Sequence, residues 1–123
     1  MNKPVEFAEA QRMAHIGSWY WDAVTGEYTS SDELCRMFGL EFMPPFAEQC
    51  GTIYTAKSWQ KLNAAIHLAV RTGIAYTVEL PAQRQDGTEI WIIAHGEPAR
   101  NADGEIVGLR GTVQDITERR YAE

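Results

Sequence analysis

The sequence has few residues that could bind a metal ion or act as a nucleophile. It contains three histidines, His15, His67 and His95, and two cysteines, Cys35 and Cys50. Metal sites use such side chains at short, recurring spacings, and these five residues show no such spacing. We therefore predict no metal site, and we expect both cysteines to be reduced thiols, not a disulfide.

Three aspartates are candidate acid groups, but each has a simpler explanation. Asp22, Asp86 and Asp103 lie in or next to predicted turns, where an Asp side chain accepts hydrogen bonds from its own loop. The sequence also lacks a Gly-x-Ser-x-Gly elbow, a glycine-rich phosphate loop and a His-Glu-x-x-His helix. We predict that the chain is not an enzyme and has no catalytic residue.

The composition is typical of one soluble domain. The chain has 123 residues, 45% hydrophobic and 23% charged, which is enough to close one core. Its net charge of -6 gives phosphates no general attraction, so neither nucleic acid nor an anionic membrane surface is an expected partner. No apolar run approaches the roughly 18 residues of a membrane span, and no signal peptide is recognisable, which favours the cytoplasm.

Residues 1–15 predict an amphipathic N-terminal helix. The stretch PVEFAEAQRMA begins with Pro4, which suits a first helical turn, and places Phe7, Ala10 and Met13 on one stripe. An apolar stripe of this kind needs a surface to pack against.

A hairpin and two helices are predicted next. GSWYWD alternates, with Trp19 and Trp21 on one face, and a turn leads to a second short strand near residues 27–29. Ser30 and Glu33 form a capping-box pattern for a short helix that ends at Gly39.

The longest predicted helix spans residues 58–73, after an irregular stretch at 41–54 that contains two adjacent prolines. One face of that helix carries Trp59, Leu62, Ile66 and either Ala69 or Val70.

The remaining sequence predicts three strands. They are separated by the tight-turn dipeptides Asp86-Gly87 and Asp103-Gly104, which favour an antiparallel meander. Two strands, then helices, then three strands is an α+β arrangement with helices on one face of an antiparallel sheet.

Four stretches together resemble a PAS domain: AQRMAHIGSWYWDAVTGEYTSSDEL, QDGTEIWI, GEPARNADGEIVG and GTVQDITERR. They follow the order typical of that family and cover residues 10–120. The resemblance implies a PAS sensory domain over residues 16–115, with a five-stranded antiparallel sheet of order 2-1-5-4-3 and helices around a small cavity. It also implies that residues 116–123 begin a linker helix to an output domain absent from this chain.

Two further expectations come from that resemblance. Asp115, Ile116 and Thr117 resemble the family's junction to a signalling helix, so we expect them to relay a signal. Pro81 lies in the third strand, which is an edge strand in the implied order. Proline has no backbone N–H to donate and is tolerated on an edge strand.

The strand register of the family implies which residues face the cavity. The candidate ligand-binding residues are Trp19, Trp21, Phe38, Leu62, Ile66, Tyr76, Val78, Ile92, Ala94 and Val113. Leu80, Ile90, Leu109 and Gly111 are expected to point inward as well. For each of these residues, packing in the core is the alternative interpretation.

Neither flavin nor haem is expected as a cofactor. Flavin-binding relatives use an Asn-Cys-Arg context and a Gln on the last strand, whereas Cys35 lies in ELCRMFG and Val113 takes the place of that Gln. Haem-binding relatives use a His on the long helix, but His67 lies beside the apolar face of that helix, not on it. A small-molecule ligand stays open.

By the same register, Tyr20, Trp91, Ile93 and His95 lie on the outer face of the sheet. Large apolar groups on the solvent side of a sheet usually mark a partner surface. Two alternatives remain for what covers this face. One is the chain's own N-terminal helix, through Phe7, Ala10 and Met13, and the other is a second subunit in a homodimer.

Two functions remain open. In the first, a small ligand in the cavity changes the packing, and the terminal helices pass the change to a downstream histidine kinase or diguanylate cyclase. In the second, the domain has a filled core, binds no ligand and serves for dimerisation and spacing.

Overall fold

The computed structural model describes residues 9–10, 12–45 and 48–122. The described residues ahead of the first strand, 9–10 and 12–14, are helical. The elements that follow are β1 (Ile16–Asp22), β2 (Tyr28–Ser30), α1 (Asp32–Phe38), α2 (Ala56–Thr72), β3 (Tyr76–Gln83), β4 (Glu89–Arg100), β5 (Ile106–Asp115) and α3 (Thr117–Ala122). Within those described residues, no helix is long and apolar enough to cross a membrane.

The five strands form one antiparallel sheet in the order β2-β1-β5-β4-β3. This confirms the predicted fold class and the edge position of β3. Pro81 lies opposite Trp91 of β4, and its carbonyl oxygen accepts a hydrogen bond from Ser58 Oγ of α2 at 3.1 Å. The proline therefore lies on the edge strand, where its missing N–H costs the sheet little.

Alternation along the strands separates an inner from an outer face. On β4, Ile92 and Ala94 are buried, whereas Trp91 and Ile93, which alternate with them, are half-buried. The helices cover the inner face, and α2 buries Leu62, Ile66 and Ala69 against it. The core consequently lies between the helices and one face of the sheet.

Three predicted boundaries differ from the structure. Ser30 ends β2, where it pairs with Trp19, so Ser31 is the N-cap of α1 and accepts a hydrogen bond from Leu34 N. The β2 strand accordingly lies one residue later than predicted. Helix α2 begins two residues earlier than predicted, because Thr55 caps it by accepting from Ser58 N.

A row of four residues crosses the middle of the inner face. Trp19 pairs with Gly111, Gly111 with Gly96, and Gly96 with Tyr76, on four neighbouring strands. A Cβ added at Gly111 would overlap the His95 carbonyl oxygen and lie 2.8 Å from the Trp19 ring. A Cβ added at Gly96 would collide with the Tyr76 ring. The two glycines leave the backbone bare, so both rings can lie over it.

We predict that Gly111→Ala lowers the free energy of unfolding by about 2 kcal/mol or more, since the new methyl meets a backbone oxygen that cannot move alone. Urea denaturation measures this change. Gly87→Ala is the control: Gly87 has a φ of 89° and no neighbour within 4 Å of an added Cβ, so it tests backbone strain without a collision. For Gly87→Ala we expect the free energy of unfolding to fall by about 1 kcal/mol. A Gly111→Ala cost no larger than that of Gly87→Ala would contradict the steric explanation.

Candidate functional site

A small cavity lies between the inner face of the sheet and the helices. Its volume is about 20 Å³, which is room for about one water molecule. The lining residues come from strands, helices and the irregular chain between α1 and α2: Trp19, Tyr28, Leu34, Phe38, Met43, Gln49, Tyr54, Leu62, Tyr76, Ala94 and Val113.

The structure brings together only part of the predicted ligand-binding set. Trp19, Phe38, Leu62, Tyr76, Ala94 and Val113 line the cavity. Trp21 and Ile66 instead line a separate groove outside it. Val78 and Ile92 pack in the core without lining either space. A ligand-binding role for any of them stays a prediction.

Sequence reasoning missed the lining residues Tyr28, Leu34, Met43, Gln49 and Tyr54. Three of them, Met43, Gln49 and Tyr54, lie in the irregular stretch, where no periodicity assigns a face. Gln49 is nevertheless 2% exposed, and its Nε2 donates a hydrogen bond to the Pro44 carbonyl oxygen at 3.2 Å. A buried amide requires polar partners, but nothing in the sequence of this stretch indicates that Gln49 is buried.

The polar side of the cavity consists of tyrosine hydroxyls. The Tyr28 ring stacks on Trp19 with ring centroids 6.1 Å apart. Burial raises the pKa of Tyr28 from 10.0 to about 12, although a hydrogen bond with the Gln49 side chain acts in the opposite direction. Burial also raises the pKa of Tyr54 and of Tyr76. All three therefore stay neutral near pH 7, and their hydroxyls can donate and accept hydrogen bonds.

The histidines and cysteines form no shared site. His67 is exposed on α2 and lies in the outer groove, not in the cavity. Cys35 is half-buried with its Sγ 3.9 Å from Ser30 Oγ, and Cys50 is exposed. Across residues 9–10, 12–45 and 48–122, no group of three His, Cys, Asp or Glu side chains could hold a metal ion.

The second candidate site is the junction between β5 and α3. Asp115 Oδ1 accepts hydrogen bonds from Thr117 N at 2.9 Å and Thr117 Oγ1 at 2.6 Å. Thr117 Oγ1 in turn accepts from Trp91 N at 2.9 Å, and Ile116 N donates to the Trp91 carbonyl oxygen at 2.8 Å. Ile116 is buried. The three predicted relay residues thus attach the start of α3 to β4.

Helix α3 then lies over the outer face of the sheet. The Arg120 guanidinium lies 3.5 Å from the Trp91 ring centroid, within cation–π range. Arg119 and Arg120 also approach Glu79 Oε1 of β3, at 3.8 and 3.5 Å. Both ion pairs are exposed, so each contributes little by itself.

Of the two covers that the sequence left open, the N-terminal helix is not seen over Trp91 in its described residues. Ala10 and Met13 are exposed, Met13 by 74%, and Phe7 lies outside the described residues. The element over Trp91 is the C-terminal α3, because the Thr117 hydrogen bonds turn the chain back over β4. His15, the residue before β1, meets the junction, where its carbonyl oxygen accepts a hydrogen bond from Asp115 N at 3.1 Å.

The other outer-face residues are half-buried. Tyr20, Ile93 and His95 lie on that face, and His95 Nδ1 is 2.9 Å from Thr77 Oγ1 of the edge strand. Their role as an interface stays a prediction.

Comparison with known proteins identifies the family. A family model for the PAS domain matches residues 25–118, about three quarters of the chain. The chain belongs to the PAS domain family. This match confirms the resemblance to PAS domains that the sequence showed. PAS domains are regulatory, sensory modules.

Similar structures include PAS-containing signalling proteins. A sensory box histidine kinase/response regulator from Burkholderia thailandensis is 25% identical with a TM-score of 0.74, over 95% of this chain and 88% of that chain. The N-terminal domain of a diguanylate cyclase with PAS/PAC sensor from Marinobacter aquaeolei is 16% identical with a TM-score of 0.70, over 85% of this chain and 98% of that chain, and shows the fold alone.

One curated relative also matches the sequence. An uncharacterized protein, y4lL, of Sinorhizobium fredii is 34% identical over 112 residues, which cover 81% of this chain. The match takes in only 13% of that protein's length, so this PAS domain corresponds to a small part of it.

We predict that the buried tyrosines make the PAS domain lose stability at alkaline pH. The unfolded chain releases the Tyr28 proton near pH 10, whereas the folded protein holds it until about pH 12. The contribution of this tyrosine to the free energy of unfolding is therefore fully present below pH 10. It falls as pH rises towards 12, by on the order of 2 kcal/mol.

Urea denaturation at several pH values measures this loss. Between pH 10 and 12, the free energy of unfolding of Tyr28→Phe should fall less steeply than that of the wild type. Tyr121→Phe, at a side chain that is 68% exposed, is the control. An identical slope for wild type and Tyr28→Phe would refute the prediction.

We predict that Thr117→Val releases α3 from the PAS sheet. Valine has nearly the same shape as threonine, but it leaves Trp91 N without its acceptor and removes one hydrogen bond to Asp115. The expected cost is about 1–2 kcal/mol, with faster amide exchange over residues 117–122. Thr112→Val, at an exposed position of the preceding strand β5, is the control. Unchanged exchange in α3 would count against the junction as described.

Proposed function

We propose that this PAS domain is the sensory module of a longer signalling protein. In this proposal, residues 16–115 form the sensory domain, and residues 116–123 begin a linker helix to an output domain of the histidine kinase or diguanylate cyclase type. The domain itself performs no catalysis and works in the cytoplasm. A change of packing around the cavity alters how α3 is held, and α3 passes that change on.

The observation that carries this proposal is the hydrogen-bonded junction of Asp115, Thr117 and Trp91. It joins the last strand, its neighbour β4 and the start of α3 at one point. A helix attached in this way is fixed to the sheet, so a shift of β4 displaces the helix as well.

Strand β4 also reaches the cavity. Ala94 lines the cavity from the inner face, three residues from Trp91 on the outer face. Ala94 pairs with Val113, and Ile92 pairs with Asp115, so the lining and the junction belong to the same two strands. Packed strands transmit strain because protein interiors are close to incompressible.

The size and the lining of the cavity favour a small polar signal molecule as its ligand, not a large cofactor. At about 20 Å³ it holds about one water molecule. Its polar groups are neutral tyrosine hydroxyls and the Gln49 amide, which can bind hydrogen-bonding groups without requiring a charge. We expect no flavin or haem, in line with the positions of Cys35 and His67 outside the cavity.

A ligand-free dimerisation and spacing module is the second candidate. The small volume of the cavity favours it, because Trp19 and Phe38 already fill most of the inner space. The half-buried outer face, with Tyr20, Ile93 and His95, supplies a surface for the second subunit of a homodimer.

We predict that Ala94→Val changes amide exchange over residues 116–122. The larger side chain crowds the cavity, and β4 must shift to accommodate it. Hydrogen exchange with mass spectrometry gives the result, and Ala64→Val, at an exposed position of α2, is the control. If Ala94→Val alters exchange only around the cavity and leaves α3 unchanged, the relay is wrong and the spacer function is favoured.

We predict a homodimer that depends on the outer face of the sheet and contains no stoichiometric flavin or haem. Native mass spectrometry and an absorption spectrum of the same purified sample measure both points. Ile93→Glu should give monomers, because it places a charge in the interface, whereas Val24→Glu in the exposed β1–β2 turn should remain dimeric. A monomeric wild type, or a flavin or Soret band of full intensity, would contradict this prediction.

A further inference from the structure

A groove with aromatic and apolar walls runs along the outside of α2. Its volume is about 600 Å³, and it lies between α2 and the end of the β1–β2 hairpin. Binding sites for small molecules usually have volumes of about 300–1,000 Å³ and mostly apolar walls. The residues that decide its chemistry are Trp21, Trp59, Ile66, His67, Val70 and Arg71.

Helix α2 carries two adjacent apolar stripes, and the second one packs only partly against the core. Leu62 and Ala69 are buried against the sheet. Trp59 and Val70 lie on an adjacent stripe that faces the groove, where Val70 is 39% exposed. Trp21, at the end of β1, lines the same groove. Two indoles therefore contribute to its walls, one from the sheet and one from α2.

The groove is basic at one end. Arg71 and His67 line it, and none of its described lining residues is acidic. Arg71 forms no ion pair with any residue that the structure describes. A second guanidinium, that of Arg100, lies against Gly73 at the end of the same helix. In a chain with a net charge of -6, this is a local positive region that complements an anion.

We propose that the groove binds a small planar aromatic molecule that carries one carboxylate. The ring packs between Trp21 and Trp59, and the carboxylate pairs with Arg71. Aromatic rings gain from packing against indoles beyond the area that they bury. A guanidinium is the side chain best suited to a carboxylate, because its planar N–H groups can bind both oxygens.

The groove adjoins the cavity without opening into it. The Trp59 ring packs on Tyr54 with ring centroids 6.1 Å apart, and Tyr54 lines the cavity. A molecule that moves Trp59 therefore presses on the wall of the cavity. Binding itself does not depend on the signalling role proposed above, so the two proposals can fail separately.

The test uses indole-3-acetate as the probe and its uncharged amide, indole-3-acetamide, as the matched compound. Both are titrated into the isotopically labelled domain by NMR, with the indole N–H signals as reporters. We expect the carboxylate to shift the Trp21 and Trp59 signals and leave Trp91 unchanged. It should bind roughly fivefold more tightly than the amide, the gain typical of an ion pair at an exposed site.

Two charge variants test the position of the carboxylate. Arg71→Gln should remove the difference between the two compounds, and Lys57→Gln, which removes a charge from an exposed position of the same helix outside the groove, should preserve it. The proposal is overturned if neither compound shifts the Trp21 and Trp59 signals at millimolar concentration, if both bind the wild type equally, or if the two variants weaken binding equally.

Discussion

The close approach of four strands at Gly96 and Gly111 is the constraint on which the core depends. Because neither residue has a side chain, the rings of Trp19 and Tyr76 can lie over the bare backbone from either side. Those rings then form the floor of the cavity, and α1 and α2 close it from above. A side chain at Gly111 would separate β4 from β5 or displace Trp19. The size and shape of the cavity follow from this one packing arrangement.

Strand β4 connects this core to the linker. Its inner side chains, such as Ala94, belong to the cavity, whereas the backbone of Trp91 binds Thr117 and its ring lies under Arg120. Alternation places the two sets on opposite faces of one strand, so the sheet itself separates the cavity from α3. Four hydrogen bonds of 2.6–2.9 Å fix the junction, whereas the exposed ion pairs of Arg119 and Arg120 with Glu79 are weak by comparison.

The sequence predicted most of the fold for physical reasons. Alternation in β1 and β4 separated Trp19 and Ala94 from their sequence neighbours, since a sheet has a strict period of two, but the register that put them on the inner face and Trp91 on the outer face came from the resemblance to PAS domains. The strand order came from the resemblance to PAS domains, because alternation does not say which strands are neighbours. The cap of α1 was misassigned to Ser30, because Ser30 and Glu33 match the capping-box spacing, whereas the pairing of Ser30 in β2 leaves Ser31 as the cap.

The candidate site was less predictable. Gln49 and Tyr54 line the cavity from irregular chain, where no period relates sequence to a face. The sequence left two covers over Trp91 open, the N-terminal helix and a second subunit, and it did not point to the C-terminal α3. Only the long-range hydrogen bond between Trp91 and Thr117 selects α3.

A double-mutant cycle between the cavity and the junction measures whether β4 couples the two. The free energy of unfolding is measured in urea for Ala94→Val, Thr117→Val and the double variant. The control cycle replaces Thr117→Val with Thr29→Val, at an exposed position of β2. If β4 couples the two sites, the effects of Ala94→Val and Thr117→Val differ from additivity by more than about 0.5 kcal/mol, while the control cycle is additive. Additivity in both cycles would contradict the account.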